Sequence, residues 1–310
     1  MSNTIALLRL PAGGISARGR RDVIEWLVRA ECGGSARYRE VAMTRPSWAP
    51  EGIDLDRPSA SRVYDYFVGG MHNFEIDRTL ARQIESFTPN VAETMRANRD
   101  LLRRCVRYLV DAGITQFLDL GSGIPTVGNV HEVAQARNPQ ARVVYVDIDP
   151  VAVAHSRAIL DGNPHAAVVH ADVAEPETIL ADPLVREVLD FDRPIAVLLL
   201  GVLHFVPDEA DPGGCVARLQ QAVVPGSYLA ITHATADGQP AEVLEAQKLS
   251  GRTSTEIVLR DKDHIAGFFH DWPLLEPGLV HLPLWRPDNP ADVGPHPELS
   301  GAYGGLALLS

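Results

Sequence analysis

Between residues 57 and 112 the apolar positions recur every three or four residues, the spacing of helices with one buried side. Pro58 and Ser59 open a first helix that runs through Phe67 and stops at Gly69-Gly70. A second covers 73–87, with Phe74, Leu80, Ile84 and Phe87 on one side. Asn90 caps a third over 91–112, whose stripe is Met95, Leu101, Leu102, Val106 and Leu109, and Gly113 ends it. From 116 onward the pattern changes. Short continuous apolar runs at 116–120, 142–146, 167–170, 195–200 and 228–232 alternate with stretches of helical spacing, among them 150–160 and 216–223. Further helices are expected at 241–249 and 261–269. Two last runs, 279–284 and 302–308, flank a proline-rich loop at 286–300 and read as a closing antiparallel pair. The class this predicts is α/β: a Rossmann-like, mostly parallel seven-stranded sheet with helices on both faces. The helices before the first strand read as a cap over 43–112, and 113–310 as the sheet domain.

Residues 1–42 fit neither pattern. Glycine pairs at 13–14 and 33–34 break two short apolar stretches, and Met43 opens a stretch that would make a natural protein beginning. This part reads as a weakly ordered N-terminal extension.

Composition narrows the field of functions. The formal charge of −12 argues against a broad nucleic-acid surface, which needs clustered Lys and Arg against phosphates. Lys248 and Lys262 are the only lysines. Neither follows a glycine, so there is no Walker A loop, and neither has Tyr four positions earlier, so the Tyr-x-x-x-Lys pair of short-chain dehydrogenases is missing. Cys32, Cys105 and Cys215 are odd in number and widely spaced, which suits a reducing cytoplasm rather than a disulfide framework. No zinc-type spacing, no membrane-length apolar run and no signal-peptide pattern occurs, so the expected location is cytoplasmic and no metal is expected.

The candidate chemistry centres on QFLDLGSGIPTV, residues 116–127. An apolar strand stops at Gly121, and Val127, Val130 and Ala134 then carry helical spacing, which predicts strand, glycine turn, helix. Gly121 and Gly123 let the backbone come close to a ligand, with the turn's N–H groups expected to meet it. A dinucleotide fingerprint requires Gly or Ala at 126, where this chain has Thr126 after Pro125. The form Asp119-Leu-Gly121-Ser122-Gly123 instead resembles motif I of class I S-adenosylmethionine-dependent methyltransferases, whose cofactor carries no phosphate. Asp147, ending the second strand, is placed to accept from a ribose diol. Asp172 and Val173, ending the third, are placed at an adenine, and Asp119 at the loop or the methionine ammonium. Gly201 and His204 follow the fourth strand. His204 is the candidate general base facing the methyl group, against the plainer reading of a structural loop histidine.

RPSASRVYDYFVGGMHNFEIDR, RANRDLLRRCVRYLVDAGITQFLDLGSGIPT, VVYVDIDPVAVAHSRAIL and LEPGLVHLPLWRPD closely resemble a bacterial family of S-adenosylmethionine-dependent methyltransferases of unassigned substrate. The resemblance runs from about Trp48 to Tyr303, and YDYFVGG and RANR are particular to that family. It implies a class I methyltransferase fold in which Gly121, Ser122 and Gly123 line the methionine portion. It likewise implies that Asp147 and Ile148 bracket ribose and adenine, that Asp172 and Val173 read the adenine, and that Tyr66, Gly69, Gly70 and Asn73 form a lid. The expected activity is methyl transfer from S-adenosylmethionine to a small-molecule acceptor. The alternatives are a nicotinamide-dependent oxidoreductase and a catalytically silent S-adenosylmethionine-binding module.

Overall fold

The computed structural model describes residues 57–125, 128–240 and 257–310. The expected extension over 1–42 and the helix expected at 241–249 lie outside the described residues. The described residues begin with three helices: α1 (Ala60–Phe67), α2 (Glu75–Phe87) and α3 (Val91–Asp111). Then β1 (Gln116–Leu120), α4 (Val130–Gln135), β2 (Arg142–Asp147), α5 (Pro150–Ile159) and β3 (Ala166–His170) form the first half of the sheet domain. The second half contains α6 (Pro176–Ala181), α7 (Pro183–Val188), β4 (Ala196–Leu200), α8 (Pro212–Gln221), β5 (Tyr228–Ala234), α9 (Lys262–Gly267), β6 (Val280–His281) and β7 (Ala302–Leu308).

The seven strands lie in the order β3-β2-β1-β4-β5-β7-β6. β1 to β5 are parallel, and β7 runs antiparallel to both β5 and β6. The order reverses between β1 and β4, so the crevice where ligands meet such sheets lies at the carboxyl ends of these two strands. Side chains alternate across the sheet. Leu118, Val144, Val197 and Ile231 face α6, α7, α8 and α9, while Phe117, Val143, Leu198 and Ala230 face α3, α4 and α5.

Four features differ from the sequence reading. α3 is less a cap than a layer of the domain, because Leu101, Leu102, Cys105, Val106 and Leu109 share one core with β1, β4 and β7. What stands apart is a small cluster of α1, α2 and the start of α3, built on Val63, Phe67, Ala81 and Val91. Next, α4 starts only at Val130, since Gly128 takes a left-handed φ of +83° and Asn129 then caps the helix in reciprocal contact with Glu132. The run 279–284 contributes only Val280 and His281 to the sheet; Pro283 has no N–H to extend the ladder, and Leu282–Leu284 turns into a 3-10 helix. Finally, α6 and α7 have no counterpart in the reading above, although each opens on a proline, and Asp182 caps α7 through Leu184 N–H at 2.8 Å.

Candidate active site at the reversal of the sheet

β1 ends at Leu120, and the chain turns at Gly121 and Gly123 with φ of +68° and +69°. A β-carbon on Gly121 would lie 2.3 Å from Cγ2 and 2.5 Å from Cβ of Val202, so only glycine lets this turn touch the loop leaving β4. The turn's N–H groups do not await a ligand, contrary to the sequence expectation. Gly121 and Ser122 donate to the Val146 carbonyl at 2.8 and 3.1 Å, and Gly123 donates to Asp147 Oδ2 at 2.6 Å. The cause is register: Leu120 pairs with Val146, so β2 runs one residue past β1 and presents its last acceptors to the turn. Nor does the turn feed directly into a helix, since α4 begins beyond it.

Acids, rather than amides, therefore mark the crevice. Asp147 is 4% exposed and its Oδ1 accepts from Asp149 N–H at 2.8 Å and Ser61 Oγ at 3.5 Å. Burial pushes its carboxyl up to about 6. Asp119, equally buried, pairs in register with Tyr145; burial with no hydrogen bond to offset it raises its carboxyl to about 7, against the lowering influence of Arg99. Beside Asp147, Ile148 is 61% exposed, an apolar side chain on an otherwise polar edge. Asp172 follows β3 and accepts from Ala174 N–H at 2.9 Å, closing a turn, while the Val173 side chain is buried in the core. Asp147, Ile148 and Asp172 thus stand along the carboxyl ends of the neighbouring strands β2 and β3.

The four residues assigned to a lid lie in and after α1, where the Asn73 side chain and the Gly69 and Gly70 N–H groups are engaged. Asn73 donates to Asp65 Oδ2 at 2.8 Å and to the Gly70 carbonyl at 3.1 Å, and its own oxygen accepts from Arg78 at 3.1 Å. A β-carbon on Gly70 would fall 1.9 Å from Asp65 Oδ1, and Gly69 has a left-handed φ of +85°. Tyr66 packs edge-on against Phe67 at 5.6 Å. The start of α1 nevertheless reaches the crevice, because Ser61 bonds Asp147 and Ser59 Oγ donates to Asp149 Oδ2.

His204 sits in the 3-10 turn Leu203–Phe205 after β4. Its Cε1 would be 4.0 Å from a β-carbon on Gly201, and its Nδ1 is buried with no partner. The ring meets His233 of β5 edge-on at 5.6 Å. Burial, with His233 and Arg260 adding to it, holds His204 well below the ordinary imidazole value.

Sequence reasoning missed the groups that organise these loops. Arg260 is buried and donates to the Leu203 carbonyl (3.1 Å), the Val206 carbonyl (2.9 Å), His233 Nε2 (2.9 Å) and Asp208 Oδ1 (2.6 Å), stitching the β4 loop to β5. Asn98 of α3 accepts from Thr232 Oγ1 at 2.6 Å and lies under Gly201. Arg99 of α3 is buried below the glycine turn and lines one cavity with Asp119, Ser122 and Gly123. Asn98 and Arg99 follow Met95 by three and four residues, so polar positions falling in phase with an apolar stripe were the available signal.

Among the described residues no group of three or more His, Cys, Asp or Glu could hold a metal ion. No described helix is long and apolar enough to cross a membrane. The profile of the S-adenosyl methyltransferase family matches residues 46–310. A crystal structure of a candidate methyltransferase from Thermobifida fusca YX is 42% identical, with a TM-score of 0.80 over 86% of this chain and 100% of its own. A DUF574 family protein from Streptomyces avermitilis MA-4680 is 38% identical, with a TM-score of 0.80 over 83% of this chain and 99% of its own. None of the curated proteins matches the chain. With a reversed parallel sheet, a glycine turn at the reversal and acids at the ends of β1 and β2, the chain belongs to the S-adenosyl methyltransferase family.

Proposed function

We propose that this methyltransferase acts on a small-molecule acceptor brought to the loop after β4, with the cofactor laid along the ends of β1, β2 and β3. The observation that carries this reading is the spending of the turn's three N–H groups on Val146 and Asp147. A pyrophosphate needs such N–H groups, whereas a diol and an ammonium need acceptors, and Asp147 and Asp119 are acceptors. In this reading Asp147 holds the ribose hydroxyls, and the exposed face of Ile148 takes one side of the adenine. Asp172 and the Val173 backbone meet the other polar edge of the base, Gly121, Ser122 and Gly123 line the methionine portion, and Gly201 floors the crevice. Tyr66, Gly69, Gly70 and Asn73 would act on the cofactor through the turn that they shape.

When bound, S-adenosylmethionine supplies a methyl group on a sulfonium, an electrophile that needs alignment with its acceptor in a dry crevice more than it needs acid or base. His204 is the described side chain beside Gly201 that can take a proton, and its surroundings keep it neutral and so able to accept one. The buried Nδ1 and the neighbouring Arg260 disfavour the imidazolium, so an acceptor with an acidic hydroxyl suits this base better than an unactivated alcohol.

Calorimetry decides the cofactor site. S-adenosylmethionine and its demethylated product S-adenosylhomocysteine are expected to bind and NAD is not. Asp147→Ala is expected to weaken S-adenosylhomocysteine by about 1.5–3 kcal/mol, roughly ten- to a hundredfold, with the fold intact by circular dichroism. Affinity of the native chain should also fall as pH drops below about 6, where Asp147 takes up a proton and loses an acceptor site. Binding of NAD, or an unchanged affinity in the variant, removes the assignment.

A further inference from the structure

We propose that Arg260 is a positioning residue on the acceptor side of the crevice: it fixes the turn that carries His204 and locks the adjoining His233 in a single uncharged tautomer. This rests on the reading of His204 as the base that meets the acceptor, and it adds the group that sets that base in place.

Every donor of this guanidinium is committed. Arg260 is 3% exposed, and each of its N–H groups has an acceptor. Nε reaches Asp208 Oδ1 at 3.2 Å, Nη1 reaches the Leu203 carbonyl at 3.1 Å and His233 Nε2 at 2.9 Å, and Nη2 reaches the Val206 carbonyl at 2.9 Å and Asp208 Oδ1 at 2.6 Å. Two residues earlier, Val258 N–H donates to the His204 carbonyl at 2.8 Å. The chain at 258–260 therefore holds the turn at His204 and on both sides of it. The His204 ring packs against Phe205, at 4.3 Å between centroids, and against His233, at 5.6 Å. Asp208 supplies its counter-charge from the surface, with a side chain 62% exposed, so neutral acceptors set the place of Arg260 more than an ion pair does.

The same guanidinium decides where His233 carries its hydrogen. His233 Nδ1 lies 2.7 Å from the Ala234 carbonyl, which only accepts, so Nδ1 bears the hydrogen. Nε2 lies 2.9 Å from Arg260 Nη1, which only donates, so Nε2 keeps its lone pair. A second proton would set an N–H against a guanidinium. Burial above all, with Arg260 adding to it, lowers this imidazole to about 4. The other titratable groups that bear on His233, Asp208 and His264, are exposed. An imidazolium at His233 would stand beside His204 and repel the proton that the base must take. Arg260 thus meets two needs of a positioned base, a fixed location and a neighbouring ring that stays neutral.

Nuclear magnetic resonance of the full chain, with isotopically labelled histidine rings and S-adenosylhomocysteine bound, tests this without an acceptor. His204→Gln and His233→Gln assign the signals. In the native chain His233 should carry hydrogen on Nδ1 alone from about pH 8 to about pH 5. Arg260→Met is expected to mix the two tautomers, to raise the proton affinity of His233 about tenfold or more, and to speed hydrogen exchange at the Val258 N–H about tenfold. Its affinity for S-adenosylhomocysteine should stay within about threefold, which reports a folded cofactor site. Arg260→Lys keeps a donor for His233 but cannot span both carbonyls, so it should retain the tautomer and still speed exchange at Val258. That variant decides the matter if Arg260→Met does not fold. A native tautomer with native exchange in Arg260→Met, or native exchange in Arg260→Lys, overturns the proposal. Asp208→Asn, which keeps the acceptor oxygen, should leave both readouts native; a mixed tautomer there would put the lock in the charge of Asp208 and overturn it too. Failure of the base reading shows separately, as a full methyl-transfer rate in His204→Ala with the His233 tautomer unchanged.

Discussion

Replacing Asp77 by alanine should destabilise the protein by about 3–5 kcal/mol, because it strips the counter-charge from a buried arginine and two backbone donors at once. Asp77 is fully buried at the start of α2. It accepts from Ser59 N–H at 3.0 Å and Phe74 N–H at 2.8 Å, and pairs with Arg62 Nε at 3.0 Å. Arg62 is itself buried and lies over the Phe74 ring at 5.2 Å. One carboxylate thus fixes the entry to α1, the body of α1 and the entry to α2. The consequence reaches the crevice, since the same first turn of α1 carries Ser59 and Ser61 to Asp149 and Asp147. Urea denaturation of Asp77→Ala should give the loss, with S-adenosylhomocysteine binding weakened alongside it. Asp77→Asn, which keeps an acceptor oxygen, should fall between native and alanine. A loss under about 1 kcal/mol would mean that α1 and α2 are held by their apolar cluster rather than by this charge.

The middle of the sheet was legible in the sequence because β1, β2, β4 and β5 are buried on both faces and therefore appear as continuous apolar runs, bounded here by Gly121, Asp147 and Gly201. The glycine turn was legible for the same reason: two left-handed residues in succession around Ser122 leave a mark in the sequence. What the turn does with its N–H groups was not. Their partners, Val146 and Asp147, come from the next strand, and only the register of β1 on β2 decides the pairing. The buried charges were hidden for a related reason. Arg99 sits among arginines in RANRDLLRR, and its neighbours Arg103 and Arg107 pair with acids at the surface. Composition cannot separate a buried arginine from a solvated one; phase with Met95 and Leu102 can, once the helix is assumed. Arg260 offered less, since its partners Leu203, Val206, Asp208 and His233 are contributed by segments far from it in the chain.

His204→Ala is expected to slow methyl transfer by about a hundredfold or more while leaving S-adenosylhomocysteine affinity within about a factor of three, the pattern of a lost positioned base. The pH profile follows from its surroundings. An imidazole held well below its ordinary value stays neutral through pH 6.5, so the native rate should remain level there and fall only at more acidic pH. Stability gives a second readout that requires no acceptor. His204 is depressed by burial, and His233, lowered to about 4, shares that cause. Below pH 6.5 the unfolded chain binds protons that these folded imidazoles refuse. The stability that is whole above pH 6.5 is therefore lost as pH falls, by about 1–2 kcal/mol on reaching pH 5 for His233, with His204 adding a loss of the same sign. His204→Ala should lose stability less steeply between pH 6.5 and 5 than the native chain, whatever its stability at pH 8. Equal slopes would mean that His204 titrates in water. A rate limb centred at 6.5 would carry the same message, and either result would take the base out of the crevice.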